Sequence, residues 1–371
     1  MNNLTAPLKP PQTAVKNCFD LRYSFTLMPQ LQPSQRSMEM THPSSSVLRS
    51  KTTPQRRGRD LAMLTGLFAL MVMGLAGLAA ATGWAETWAQ IRALSFVQLG
   101  VLLELSLVNY LFRALRWHLF ARTLGLPTKL MQDVRHFLGG FAMTVTPARV
   151  GELVRMRWLR RETGWNFERT APLVLVDRAS DLAAMALILG GAVALSTGGI
   201  KGAIPVTFFA LAAAVLATRP RLLSALVTTF YRSTGWLPRF CVRVRRGAQS
   251  LRLFTRTGLL LCAAALGVIG WLAEGYAFHL LLVWMGADIG VWMAIAIFVF
   301  STLAGGLTGA PGGVGGAEAA MIALLSLQGV PLETSVPATL IIRVTTLWFA
   351  IAIGLLVFPV AERMSMKVNH A

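Results

Sequence analysis

Six apolar runs, at 61–81, 94–112, 173–195, 203–218, 258–284 and 337–359, set the terms on which this sequence can fold. A bilayer core about 30 Å thick is crossed by about 20 mostly apolar helical residues, and 203–218 is the one clearly short run. Backbone polar groups in hydrocarbon must find partners within their own segment, so such spans are helices. The expected fold class is all-α: a polytopic integral membrane protein with about six full spans. Composition agrees with this. Of 371 residues, 54% are hydrophobic and 14% charged, which excludes a soluble globular domain and a disordered chain. The 35 Lys and Arg against 16 Asp and Glu give a formal net charge of +19. In a soluble protein that excess points to nucleic acid; here it points to basic loops facing anionic phospholipid, with no nucleic-acid partner.

The basic residues orient the chain. Nine lie in 1–60, eleven in 113–169 and nine in 219–257, a loop with no acid. The connections 82–93, 196–202, 285–290 and 329–336 hold Arg92 and Lys201 between them. The positive-inside rule then puts both termini, 113–170 and 219–257 in the cytoplasm. Residues 1–60, rich in Pro, Ser, Thr and Gln, read as a disordered basic cytoplasmic tail, 61–360 as the membrane domain and 361–371 as a short cytoplasmic tail. A secretory signal peptide does not fit a first apolar run that begins near Leu61.

Two further apolar stretches are interrupted. One, 136–148, ends at Thr146-Pro147; the other, 291–328, is broken at Gly305-Gly306 and at Pro311-Gly312-Gly313. The orientation holds only if each enters the membrane and returns by the same face. The two expected re-entrant helical hairpins therefore open to opposite sides. The sequence around them repeats. Pro147-Ala148-Arg149-Val150-Gly151-Glu152 parallels Pro311-Gly312-Gly313-Val314-Gly315, with Glu318 close behind. Pro147 precedes Arg178 by 31 positions and Pro311 precedes Arg343 by 32. Tyr110-Leu111-Phe112 resembles Tyr276-Ala277-Phe278. The expectation is an inverted repeat, units 94–196 and 258–360, of the kind that exposes a midplane site to each face in turn.

Ionisable residues in hydrocarbon cost at least about 2.5–3.5 kcal/mol each on insertion scales. This chain nonetheless places Asp177, Arg178 and Asp181 at the start of one span, Arg343 within the last, Glu318 after the glycine-rich break, and Glu104 and Glu274 singly. Pairing that pins helices together accounts for some of them, and Glu104 and Glu274 are assigned to that role. The candidate cavity set is Arg149, Glu152, Arg155, Asp177, Arg178, Asp181, Glu318 and Arg343. The breaks at Pro147, Gly151, Pro311, Gly312, Gly313 and Gly315 bare backbone N–H groups toward an anion. Arg113, Arg116 and Trp117 stand at a cytoplasmic span end and read as interfacial anchors. No Walker lysine follows the glycines, no metal-binding cluster is evident, and Cys18, Cys241 and Cys262 are scattered. Neither a cofactor nor a metal is expected.

Arg113-Ala-Leu-Arg116-Trp117, then Pro147 to Arg155, then Asp177-Arg178-Ala-Ser-Asp181, then Pro311 to Glu318 and Arg343, in that order, resemble the flippase-like membrane region of lysylphosphatidylglycerol synthases. The resemblance covers about 61–360. It implies movement of a phospholipid, or of a modified phospholipid, between leaflets of a bacterial inner membrane. With Ala371 twelve residues past the last span, the soluble aminoacyltransferase domain of the bifunctional members is not expected, nor is its enzyme activity. Two alternatives stand beside lipid translocation. One is an integral-membrane transferase acting on a lipid-linked substrate, with Glu152 or Asp181 as base. The other is a non-catalytic membrane partner of an envelope enzyme. A homo-oligomer is compatible with all three.

Overall fold

The computed structural model describes residues 94–144, 152–195, 203–219 and 251–367, with isolated positions at 89, 92, 221, 222, 225, 228 and 229. The tail 1–60, the span expected at 61–81, most of the loop 219–257, and the break residues Pro147, Arg149 and Gly151 lie outside the described residues.

All regular structure among the described residues is helical. Helix α1 (Phe96–Leu124) starts where Ser95 accepts from the Gln98 N–H and Gln98 reaches back to the Ser95 N–H, a reciprocal cap. It stops at Gly125, whose left-handed backbone lets its N–H bond the last carbonyls. Its 29 residues extend about 43 Å at 1.5 Å per residue, and it ends twelve residues, about three turns, beyond the expected 94–112. Helix α2 (Leu130–Gly139) passes into a 3₁₀ turn (Gly140–Met143), and after the break α3 runs from Glu152 to Thr163. Helix α4 (Phe167–Leu195) follows, then α5 (Ala203–Thr218).

After a 3₁₀ turn at Leu251–Phe254, the second half opens with α6 (Thr257–Trp284), α7 (Val291–Leu307), a 3₁₀ turn at Pro311–Gly313, and α8 (Gly316–Leu327). Helix α9 (Leu332–Arg343) then runs through a π-helical turn (Val344–Trp348) into α10 (Phe349–Lys367). The second half runs long helix, helix–break–helix, long helix; in the first half α2 and α3 lie between α1 and α4, and residues 145–151 that join them lie outside the described residues.

Among the described residues, three helices are long and apolar enough to cross a membrane: Phe96–Leu124, Thr257–Trp284 and the continuous Leu332–Met366. Helix α4 has the length, 29 residues, but its first half carries Glu168, Arg169, Asp177, Arg178 and Asp181. Ala203–Val215, Val291–Leu307 and Gly316–Leu327 are apolar and shorter. The second break also differs in place. Helix α7 continues through Gly305 and Gly306 and ends only at Leu307. A Cβ on Gly305 would lie 2.7 Å from the Ala317 Cβ and 2.9 Å from the Gly313 carbonyl oxygen. That glycine therefore does not break its helix; it lets the chain fold back on it.

Two buried apolar clusters hold the bundle. One gathers Leu189, Phe278, Leu281, Phe298 and Ile342; the other gathers Trp117, Phe120, Phe137, Leu173 and Phe254. Helix α6 packs along α1, and both meet α4.

Candidate functional site

A cavity of about 830 Å³ opens where the two clusters meet, with Phe141 and Ala350 from one and Met185, Trp271 and Leu303 from the other in its wall. Four arginines, Arg113, Arg155, Arg178 and Arg343, and two carboxylates, Asp181 and Glu274, line it among apolar side chains.

The longer α1 decides what happens to the arginines expected at its end. The helix runs twelve residues past the expected end at 112, about three turns, and the first of these turns holds Arg113 and Arg116 against α4. Instead of reaching an interface, Arg116 is fully buried and Arg113 nearly so. Arg116 donates from Nη2 to Asp177 Oδ1 and to Asp181 Oδ1, each at 2.7 Å. Arg113 Nη2 takes Asp181 Oδ2 at 2.8 Å. Arg178 closes the group at 3.3 Å from both Asp177 Oδ2 and Asp181 Oδ2. Three guanidinium groups thus share two carboxylates four residues apart on one helical face. Trp271 adds its indole N–H to Asp181 Oδ1 at 3.3 Å, and the Arg113 guanidinium carbon lies 5.1 Å from the Trp271 ring centre. Trp117, the third residue of the expected interfacial set, is also fully buried.

Arg155 comes from the first turn of α3. Its guanidinium carbon lies 4.3 Å from the Phe137 ring centre and 5.3 Å from that of Trp117, and Nη2 donates to the Phe137 carbonyl at 3.0 Å. Such stacking holds a cation in an apolar wall. Gly140 makes the room, since a Cβ there would lie 2.1 Å from Arg155 Nε. The side chain of Glu152 and the residues Pro147, Arg149 and Gly151 lie outside what is described.

The second half contributes a pair of its own. Arg343 Nε donates to Glu318 Oε1 at 2.5 Å, and Arg343 Nη2 to the Gly312 carbonyl at 2.9 Å. Glu318 also accepts from the Gly315 N–H at 2.7 Å, closing the start of α8. Gly312, Gly313 and Gly315 all have positive φ, conformations that glycine adopts without strain. Within the π turn after Arg343 the Thr346 carbonyl accepts from the Phe349 N–H and from the Tyr110 hydroxyl. Thr345 and Thr346 return their hydroxyls to the Ile341 and Ile342 carbonyls. π turns of this kind concentrate at functional sites.

Arg155, Arg178, Asp181 and Arg343 line one cavity, while Asp177 and Glu318 do not line it and are held by Arg178 and Arg343. The sequence reading did not reach Tyr110, Trp271 or Glu274 as wall residues. Tyr110 is buried while Tyr276, its partner in the proposed repeat, is 45% exposed, so the two tyrosines do not share an environment. For Glu274 the signal was present: a lone charge inside a 28-residue apolar helix marks a functional position by default.

Comparison with known proteins follows the same lines. Residues 62–354 match the family described as the lysylphosphatidylglycerol synthase TM region. A UPF0104 membrane protein of Methanothermobacter thermautotrophicus is 24% identical over 340 residues, covering 81% of this chain and 98% of that protein. A further match to a protein of that name and organism is 29% identical over 106 residues, 29% of this chain and 31% of the other. The order of arginine, proline–glycine and carboxylate motifs that carried the resemblance falls inside the matched region, and this chain belongs to the lysylphosphatidylglycerol synthase transmembrane-region family.

Proposed function

We propose that this protein is a lipid translocator that moves an anionic phospholipid, or a modified one, between the leaflets of a bacterial inner membrane. The observation that carries the reading is the cavity itself: four arginines and two carboxylates around about 830 Å³ inside an apolar helical bundle. A purely structural ion-pair network has no need of a chamber of that size, and buried pairs contribute weakly to stability against apolar packing. A phosphodiester needs a chamber with planar, bidentate donors, which guanidinium groups supply. Arg155 and Arg178 would meet the phosphate from the first half and Arg343 from the second. Met185, Phe298 and Leu303 give the headgroup's apolar continuation a wall to slide on.

In this reading α2–break–α3 and α7–break–α8 are re-entrant hairpins that open to opposite faces, with both termini in the cytoplasm. The two units form an inverted repeat around the chamber, and their rocking would present it to each leaflet in turn. The test is direct. Purified protein in liposomes containing acyl-labelled fluorescent phosphatidylglycerol should speed bleaching of inner-leaflet probe by an external quencher. Bleaching no faster than in protein-free liposomes, across anionic and zwitterionic lipids, removes translocation.

A further inference from the structure

Among the carboxylates around the chamber, three are locked. Asp177 and Asp181 have an arginine nitrogen at 2.7 Å, and Glu318 has one at 2.5 Å. Glu274 is different. It is 4% exposed, lines the cavity, and has no Lys or Arg within ion-pair distance among the described residues. The helices packed most closely on α6 are α1, α4, α7 and α9. Helix α1 presents Asn109, Tyr110 and Arg113; α4 presents Asp181; α9 presents Arg343; α7 contains no ionisable residue. Arg113 and Arg343 are already bound to Asp181 and Glu318, and Tyr110 donates to Thr346. An unpaired buried carboxylate is costly, and binding a proton relieves the cost. The Asn109 amide stands near it on α1 with neither its nitrogen nor its oxygen in a hydrogen bond, and an amide can donate to the ionised acid or both donate to and accept from the protonated one.

Charge arithmetic then gives the proton a role. Five arginines, Arg113, Arg116, Arg155, Arg178 and Arg343, face four carboxylates, Asp177, Asp181, Glu274 and Glu318. The net charge is one positive when Glu274 is ionised and two positive when it holds a proton. The protonated chamber attracts an anionic headgroup more strongly, and by reciprocity the bound anion favours the proton.

We infer that Glu274 is a proton-binding site that couples lipid movement to a proton gradient, one proton travelling with each monoanionic headgroup. This rests on the translocation reading. A proton passes from water on the acidic side to the Glu274 carboxylate and leaves to water on the other side, and no bond besides O–H forms or breaks. Proton and monoanion together are electroneutral, so the coupling responds to pH difference and not to voltage.

The test uses the full-length protein in liposomes with acyl-labelled phosphatidylglycerol and a one-unit pH gradient. Tight coupling of one proton enriches the labelled lipid in the leaflet on the alkaline side by up to about tenfold, with potassium and valinomycin present or absent. Glu274→Gln should bring the leaflet ratio to about one, and Glu274→Asp should retain the shift. A second readout is independent of lipid: infrared difference spectra between acidic and alkaline buffer should contain a protonated-carboxyl band that Glu274→Gln lacks. An unchanged gradient response in Glu274→Gln, or wild-type exchange without any response, overturns the coupling. Absence of the band overturns the proton site whatever the lipid does. A band without lipid exchange leaves Glu274 binding a proton and overturns the lipid reading together with the coupling.

Discussion

Arg343 bridges Glu318 at 2.5 Å and the Gly312 carbonyl at 2.9 Å, so one side chain of the last long helix fastens both the break and the first turn of α8. Lysine keeps the charge but cannot make both contacts from a single ammonium in that geometry. Arg343→Lys should slow lipid exchange by about 10- to 150-fold, the equivalent of one charge-assisted hydrogen bond of about 1.5–3 kcal/mol. Fluorescent-lipid bleaching in liposomes checks this, with circular dichroism to confirm unchanged helicity. Wild-type rates in the variant would remove Arg343 from the mechanism.

Arg116 has no exposure and holds two aspartates. Breaking such a buried group from one side costs about 3–5 kcal/mol. Arg116→Met should lower the melting temperature in detergent markedly, and adding Asp177→Asn should recover part of the loss. A double variant no more stable than the single one would show that the group acts through Asp181 alone.

Gly140 is the place where the backbone yields to Arg155. Gly140→Ala puts a methyl group where the guanidinium lies and should displace it from the Phe137 ring, at an overpacking cost of about 1–3 kcal/mol. Gly191→Ala, in α4 with open space around it, serves as the comparison and should be neutral or stabilising by up to about 1 kcal/mol. Exchange rates and melting temperatures of the two variants, measured side by side, should diverge.

At the end of α3, burial alone would raise the Glu162 carboxyl, but His136 at 3.1 Å, Gln132 and Arg135 hold it below the usual carboxylate range. A carboxyl depressed in the folded state adds stability above its unfolded value of about 4.3. That contribution disappears as pH falls through the folded value. Glu162→Gln should therefore melt lower than wild type at pH about 7, by the equivalent of about 1–2 kcal/mol, and the gap should narrow on acidification below about pH 4. A gap that is constant with pH would contradict the assignment.

Much of this arrangement could be read from residue order, because an apolar run long enough to span a bilayer has few other folds open to it. The run expected at 258–284 differs by one residue from α6, Thr257–Trp284. Where charge enters a run, residue order says less about where the helix ends. Arg113 and Arg116 looked like the end of a span because a single helix gives no sign that Asp177 and Asp181, more than sixty residues later, will neutralise them. Gly305-Gly306 looked like a break for a related reason: helix propensity is local, whereas the approach of Ala317 that demands a small residue there is tertiary. Glu274 was assigned to pairing because the sequence does not say which arginines are already taken.

The sharing of Asp177 and Asp181 by arginines from α1 also governs how the chain is made. Neither helix can settle in hydrocarbon alone without stranding charge, at about 2.5–3.5 kcal/mol for each exposed group. The ribosome delivers α1 well before α4. Arg113 and Arg116 therefore stay without Asp177 and Asp181 until α4 emerges, and the two helices are expected to settle into the bundle together.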